Sequence, residues 1–249
     1  MRRKNFTLNE LLIVIALLGL NLALLAALAP GVKTSAQLTS CTSHLVALGK
    51  AVEAYRADNA ESFMIAISPG NPGPTWATRL GSTAMGNYVK AENFNCPSMP
   101  VYLPERWQNA SDLASQNNWM WTRPAYGYND IWLGGVRRGA NGLDGGKPYS
   151  MAALEEPSEM LVLADSAGPG REFGSYRVHP GYVKTEAVLW PRHDGAVNVL
   201  YADGHVKATA SGLDQAGEES SQKLYVTGAE LESSSTKEAD SCKWRCGLD

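Results

Sequence analysis

The chain has 249 residues, a formal charge of −3, and 44% hydrophobic against 19% charged residues. No basic stripe occurs beyond the first four residues, so nucleic acid is excluded as a partner on electrostatic grounds. Gly, Pro, Tyr and Trp are plentiful beside this low charge, which points to a loop-rich, largely β domain in an extracytoplasmic compartment.

From Phe6 to Ala29 the only charge is Glu10. A helix of about 24 residues covers roughly 36 Å, enough for a hydrocarbon core of about 30 Å. Arg2, Arg3 and Lys4 precede the run, which places the N-terminus in the cytoplasm and the rest of the chain outside. Taken alone, the segment admits three readings. A secretory signal has a shorter apolar core, and Pro30 follows the only small-x-small site, Ala27-Leu28-Ala29. A twin-arginine signal is suggested by Arg2-Arg3, although such pairs precede many membrane helices. A plain signal anchor explains length and orientation but not Glu10, whose carboxylate costs on the order of 1 to 3 kcal/mol there unless it is paired. Gly19 and Asn21 mark helix contacts, and Pro30 marks a kink or a break.

Lys4-Asn5-Phe6-Thr7-Leu8-Asn9-Glu10-Leu11-Leu12 resembles the start of type IV prepilins and type II secretion pseudopilins. The resemblance implies cleavage between Asn5 and Phe6 by a prepilin peptidase and N-methylation of the new Phe6 amine. It also implies that Glu10 pairs with that amine, in its own or a neighbouring subunit, as helices bundle into a filament. Asn5 stands where the family has glycine, and Asn9 where it has an apolar residue.

From Val32 to Asp58 a helical period returns, with Leu38, Leu45, Leu48, Val52 and Tyr55 on one face. This is an amphipathic continuation laid against a globular head. Cys41, Leu45, Leu48-Gly49, Ala51, Tyr55 and Asp58-Asn59 also resemble the helix signature of a large bacterial group of prepilin-like proteins, with His44 in place of its usual asparagine. Between Phe63 and Gly146, Pro- and Gly-rich breakers leave room only for short helices and loops, one helix being expected over Thr78 to Val89. Cys96-Pro97-Ser98 and Tyr126-Gly127-Tyr128-Asn129 match that group's habits. Trp107, Trp119, Trp121 and Trp132 cluster in this stretch, as core and loop anchors or as a sugar-binding surface.

Met160 to Ala164 is an apolar run ending at Asp165-Ser166 and reads as a buried strand; Glu186 to Trp190 is a further strand candidate. Ala196 to Ala202, Asp203-Gly204 and His205 to Thr209 read as a hairpin with a two-residue turn, pairing Ala202 with His205 and Tyr201 with Val206. That register puts Val197, Val199, Tyr201, Val206 and Ala208 on the core face, and Asn198, Leu200, His205 and Lys207 on the other. His193, nine residues, then Asp203-Gly204 resembles the C-terminal motif of the same prepilin-like group. Catalysis is not expected: a strand at ~3.3 Å per residue separates His193 from Asp203 and His205 by some 20 Å. Hence no metal site is expected there; the resemblance to pseudopilins leaves calcium on loop carboxylates open through Asp194 or Asp165, without EF-hand spacing behind it.

Beyond Thr209 the chain is polar and acidic, partly flexible, with one strand-like patch from Lys223 to Thr227. Of the three connectivities open to four cysteines, the favoured one joins Cys41 to Cys96 and Cys242 to Cys246. The expected architecture is α+β and pilin-like. A long N-terminal helix, membrane-spanning in its first half, packs on a loop-rich head with a small antiparallel sheet. Residues 1–5 would be a leader, 6–30 the transmembrane and assembly helix, 31–209 the head and 210–249 an extension. The expected function is a structural filament subunit, without enzymatic activity or cofactor. Its partners would be the inner membrane, prepilin peptidase and other pilin or pseudopilin subunits. The alternative is an uncleaved, membrane-anchored glycan-binding protein.

Overall fold

The computed structural model describes residues 7–69, 73–100, 104–116, 118–130, 132–139, 142–145, 147–168, 172–178, 188–193, 195–210, 223–226 and 229–232. Asn5, Phe6, Asp194, Cys242 and Cys246 lie outside them.

The chain opens with one helix, α1 (Leu8–Asp58), of 51 residues. Its start is a capping box: the Thr7 hydroxyl accepts from the Glu10 N–H, and the Glu10 carboxylate accepts from the Thr7 N–H at 2.8 Å. The helix continues through Pro30-Gly31, where a kink or break was expected. The expectation of a membrane-spanning first half is corrected: no helix is long and apolar enough among the described residues to cross a membrane.

The second half of α1 behaves as its period predicts. Cys41, Leu45, Leu48, Ala51 and Val52 are buried in the main core. Two short helices follow, α2 (Trp76–Gly81) and α3 (Ala110–Ala114). The helix expected over Thr78 to Val89 is thus shorter and starts earlier, because the Thr75 hydroxyl caps the Thr78 N–H and Ser82 leaves helical geometry. Phe94, Trp107 and Trp121 pack ring against ring at 5.6–5.7 Å under the loops.

The strands are β1 (Tyr126–Asn129), β2 (Val136–Gly139), β3 (Gly142–Gly145), β4 (Leu161–Ala167), β5 (Arg177–Val178), β6 (Val188–Leu189), β7 (Ala196–Tyr201), β8 (Val206–Ala210), β9 (Lys223–Val226) and β10 (Ala229–Glu232). In place of a small antiparallel sheet stands a six-stranded mixed one, ordered β5-β1-β4-β7-β8 with β6 also on β4; β5 runs parallel to β1. β2 with β3, and β9 with β10, form separate two-stranded ribbons. β4 is central and buried along its whole length; its apolar run ends at Ala164, and the strand continues through the buried Asp165 and Ser166. A register shift at Val162 turns both Val162 and Leu163 to the main core, while Leu161 and Ala164 face a second cluster with Val178, Leu189, Val197, Val199 and Tyr201.

The β7–β8 hairpin exists, one register step from expectation. Leu200 pairs with Val206 and Val199 with Lys207. The Gly204 N–H donates to the Tyr201 carbonyl at 3.0 Å, and Gly204 takes φ +93°, so the loop has three residues and closes on a left-handed glycine. A one-residue slip exchanges faces. Val206 therefore joins Leu200 against the main core rather than Tyr201 on the opposite side. Leu200 and Asn198, expected on the outer face, are buried because α1 covers that face.

Candidate functional site

Two regions of α1 face different surroundings. In the first half Leu11, Ile13, Ile15, Leu18, Leu20 and Leu22 all stand in solvent, Leu18 at 58% exposure. They point in every direction around the helix, so the head alone cannot cover them. A continuous apolar surface of this kind marks a place where another molecule packs. At its start the Glu10 carboxylate is held by the Thr7 N–H and hydroxyl, both at 2.8 Å.

In the second half β7 clamps the helix to the sheet. Asp165, at the middle of β4, is fully buried and meets Arg192 at 2.5 Å. Its other oxygen accepts from the Asn198 N–H at 2.8 Å and from Asn198 Nδ2 at 3.1 Å. Arg192 donates to the Ser166 and Ala125 carbonyls at 2.7 and 2.8 Å, so the buried charge pair is almost fully hydrogen-bonded, its Nε excepted. Asn198 passes the network on to α1, where its Oδ1 accepts from the Thr42 hydroxyl at 3.4 Å.

His193 lies beside this pair, with Nε2 3.6 Å from Asp165 and 3.7 Å from Cys96 Sγ, and Nδ1 3.5 Å from the Ser98 hydroxyl. Burial pushes its pKa below the usual imidazole range; Asp165 opposes this and Arg192 reinforces it. Cys96 is disulfide-bonded to Cys41 of α1, the pairing expected for these two. The two sulfurs and His193 Nε2 lie within 4.8 Å of one another. As a disulfide the sulfurs offer no thiolate, so the cluster presents one nitrogen to a cation. Tyr126 donates to the Cys41 carbonyl at 3.1 Å, and its phenol is held protonated by burial.

The other end of β7 carries Asp203-Gly204. Asp203 Oδ1 accepts from the His205 N–H at 3.1 Å and contacts His205 Nδ1 at 2.6 Å, while the His205 ring stacks on Tyr201 at 4.4 Å. Here the helix offers Gly49: a Cβ there would come within 2.9 Å of Leu200 Cδ1. The six residues of β7 separate His193 from Asp203, so the motif is two attachment points on one strand. Asp165 is occupied by protein donors rather than turned to an ion. His44 bonds the Asn95 carbonyl through Nδ1 at 2.8 Å, a second tie, beside the disulfide, between α1 and the Cys96 segment.

The tryptophans divide. Trp107 and Trp121 are buried, whereas Trp119 is 40% exposed and flanked by two guanidiniums, Arg106 at 4.4 Å and Arg123 at 4.8 Å from its ring. The sequence reading missed Arg106, Arg123, Arg192 and Asn198 as individual contributors. Arg106-Trp107 and Trp121-Thr122-Arg123 carry a visible signal, a basic residue beside an aromatic one. Asn198 carries none, since its alternation with Val197 and Val199 reads as a solvent position. No family model, curated protein or solved structure matches the chain.

Proposed function

We propose that this chain is a structural subunit of a type IV pilus-like or type II secretion filament, built by packing the first half of α1 against the same segment of neighbouring subunits. The observation that carries the reading is the exposed apolar surface of α1 on a helix whose second half is locked to the head. The prepilin-like run from Lys4 to Leu12, and the His193 and Asp203-Gly204 motif, support it from the sequence. In this reading a prepilin peptidase cleaves after Asn5, and the Phe6 amine is N-methylated. Glu10 then exchanges its Thr7 partners for the Phe6 amine of its own or a neighbouring subunit. The head works in an oxidising compartment, in keeping with the Cys41–Cys96 disulfide. The role is mechanical, with no catalytic step.

The test is mass spectrometry of the N-terminus after co-expression with a prepilin peptidase, followed by sedimentation of filaments from wild-type and Glu10→Ala chains. A mature chain starting at N-methylated Phe6, with wild-type chain in the pellet and Glu10→Ala in the supernatant, is the expected result. Retention of Met1 to Asn5, or sedimentation indifferent to Glu10, overturns it.

A further inference from the structure

A shallow cleft opens between the loops, lined among others by Asn95, Arg106, Trp107, Trp119, Arg123 and Phe173. Three observations give it the character of an acceptor-seeking site. Arg106 and Arg123 are exposed, and among the described residues neither guanidinium has a hydrogen-bond or ion-pair partner; both lie over aromatic rings. Both guanidiniums lie within 5 Å of one indole centroid, and among the described residues no carboxylate pairs with either. Asn95 is only 7% exposed, and its Oδ1 is committed to the Cys96 N–H at 3.0 Å; its Nδ2 is buried with no partner among the described residues. A buried donor left without a partner is costly, and a ligand acceptor removes that cost.

We infer that this cleft binds the carboxylate-bearing sugar of an acidic polysaccharide, a uronate residue. Arginines laid against aromatic rings keep their N–H edges free and pre-oriented, the geometry that recognises a carboxylate through two parallel hydrogen bonds. Asn95 supplies a deeper donor suited to a ring oxygen or hydroxyl. Trp107, Met99 and Phe173 supply the apolar wall that a pyranose C–H face packs against. An acidic peptide shares the charge but not the ring-sized body or the several hydroxyls. This binding neither requires filament assembly nor follows from it.

The test is calorimetric titration of the full chain in detergent with three probes: tetragalacturonate, a neutral galactose tetramer and a glutamate oligomer of equal length. Trp fluorescence serves as a second readout. Tetragalacturonate is expected to bind, at least tenfold more tightly than either other probe, with affinity falling as salt rises. Arg106→Gln and Arg123→Gln are each expected to weaken it about tenfold without moving the unfolding midpoint. Asn95→Asp, which keeps the acceptor for Cys96 and replaces the donor by a carboxylate oxygen, should weaken it at least as much. Absence of binding, equal binding of the neutral tetramer, or indifference to both arginine variants overturns the site. Tighter binding of the glutamate oligomer assigns the cleft to acidic peptide instead and overturns the saccharide.

Discussion

The two halves of α1 are one continuous helix with opposite relations to the rest of the molecule. In the second half apolar residues recur at helical spacing, and each buried one finds a partner in the chain: Leu45 and Leu48 in the main core, Gly49 against Leu200, Cys41 against Cys96. In the first half they occur at nearly every position, and among the described side chains the large ones from Leu8 to Leu22 stand exposed. Identical backbone geometry thus serves folding at one end and leaves an unpartnered surface at the other. The sequence period, not helicity, separates the two uses.

This contrast can be broken by substitution, starting where the effect is largest. Arg192→Met leaves the Asp165 charge buried without its ion-pair partner and should destabilise the head by about 3–5 kcal/mol in denaturant unfolding of the full chain. A loss under 1 kcal/mol would mean that the clamp does not hold the sheet to the helix. Leu48→Ala removes a fully buried side chain and should cost about 2–5 kcal/mol, whereas Leu18→Ala, at 58% exposure, should stay within about 0.5 kcal/mol in the isolated subunit. Comparable losses at both positions would erase the distinction between the halves. Joint replacement of Cys41 and Cys96 by serine opens a loop of 55 residues in sequence separation and should cost about 2–4 kcal/mol, read as a lower unfolding midpoint.

The smallest effect concerns pH. Because the folded-state pKa of His193 is lowered, its contribution to stability is fully present above the unfolded imidazole value of about 6.5 and declines as pH falls below it. Unfolding free energy measured from pH 7.5 to 5.5 should therefore drop in the wild type and flatten in His193→Asn. A parallel slope in both would assign the pH dependence elsewhere.

Much of this architecture was legible from residues that obey a single local rule. The amphipathic half of α1 follows from its period, and β4 from an unbroken apolar run that only a central strand can bury. The Asp-Gly pair announces a hairpin. It does not settle the register, because aspartate followed by glycine suits a two-residue turn and equally a three-residue loop with glycine in the left-handed region. The second is chosen because it brings Val206 to the helix-covered face beside Leu200. Asn198 was unreadable for the same reason: its burial depends on α1 lying over that face, a non-local fact. In the candidate site, the pairing of Cys41 with Cys96 was anticipated, and so was the separation of His193 from Asp203. The approach of His193 to the disulfide was not, since it requires β7, the Cys96 segment and α1 to converge.

Where the disulfide sits has a mechanical consequence. Cys41 is the first buried residue met along α1 from its N-terminal end among those whose side chains are described. A pull on the exposed half that would peel the helix from the sheet, one contact after another, meets a covalent bond before it reaches Leu45. Tension is then shared by the helix, the Cys96 segment and the strands behind it at once, so the joint is loaded in shear rather than unzipped.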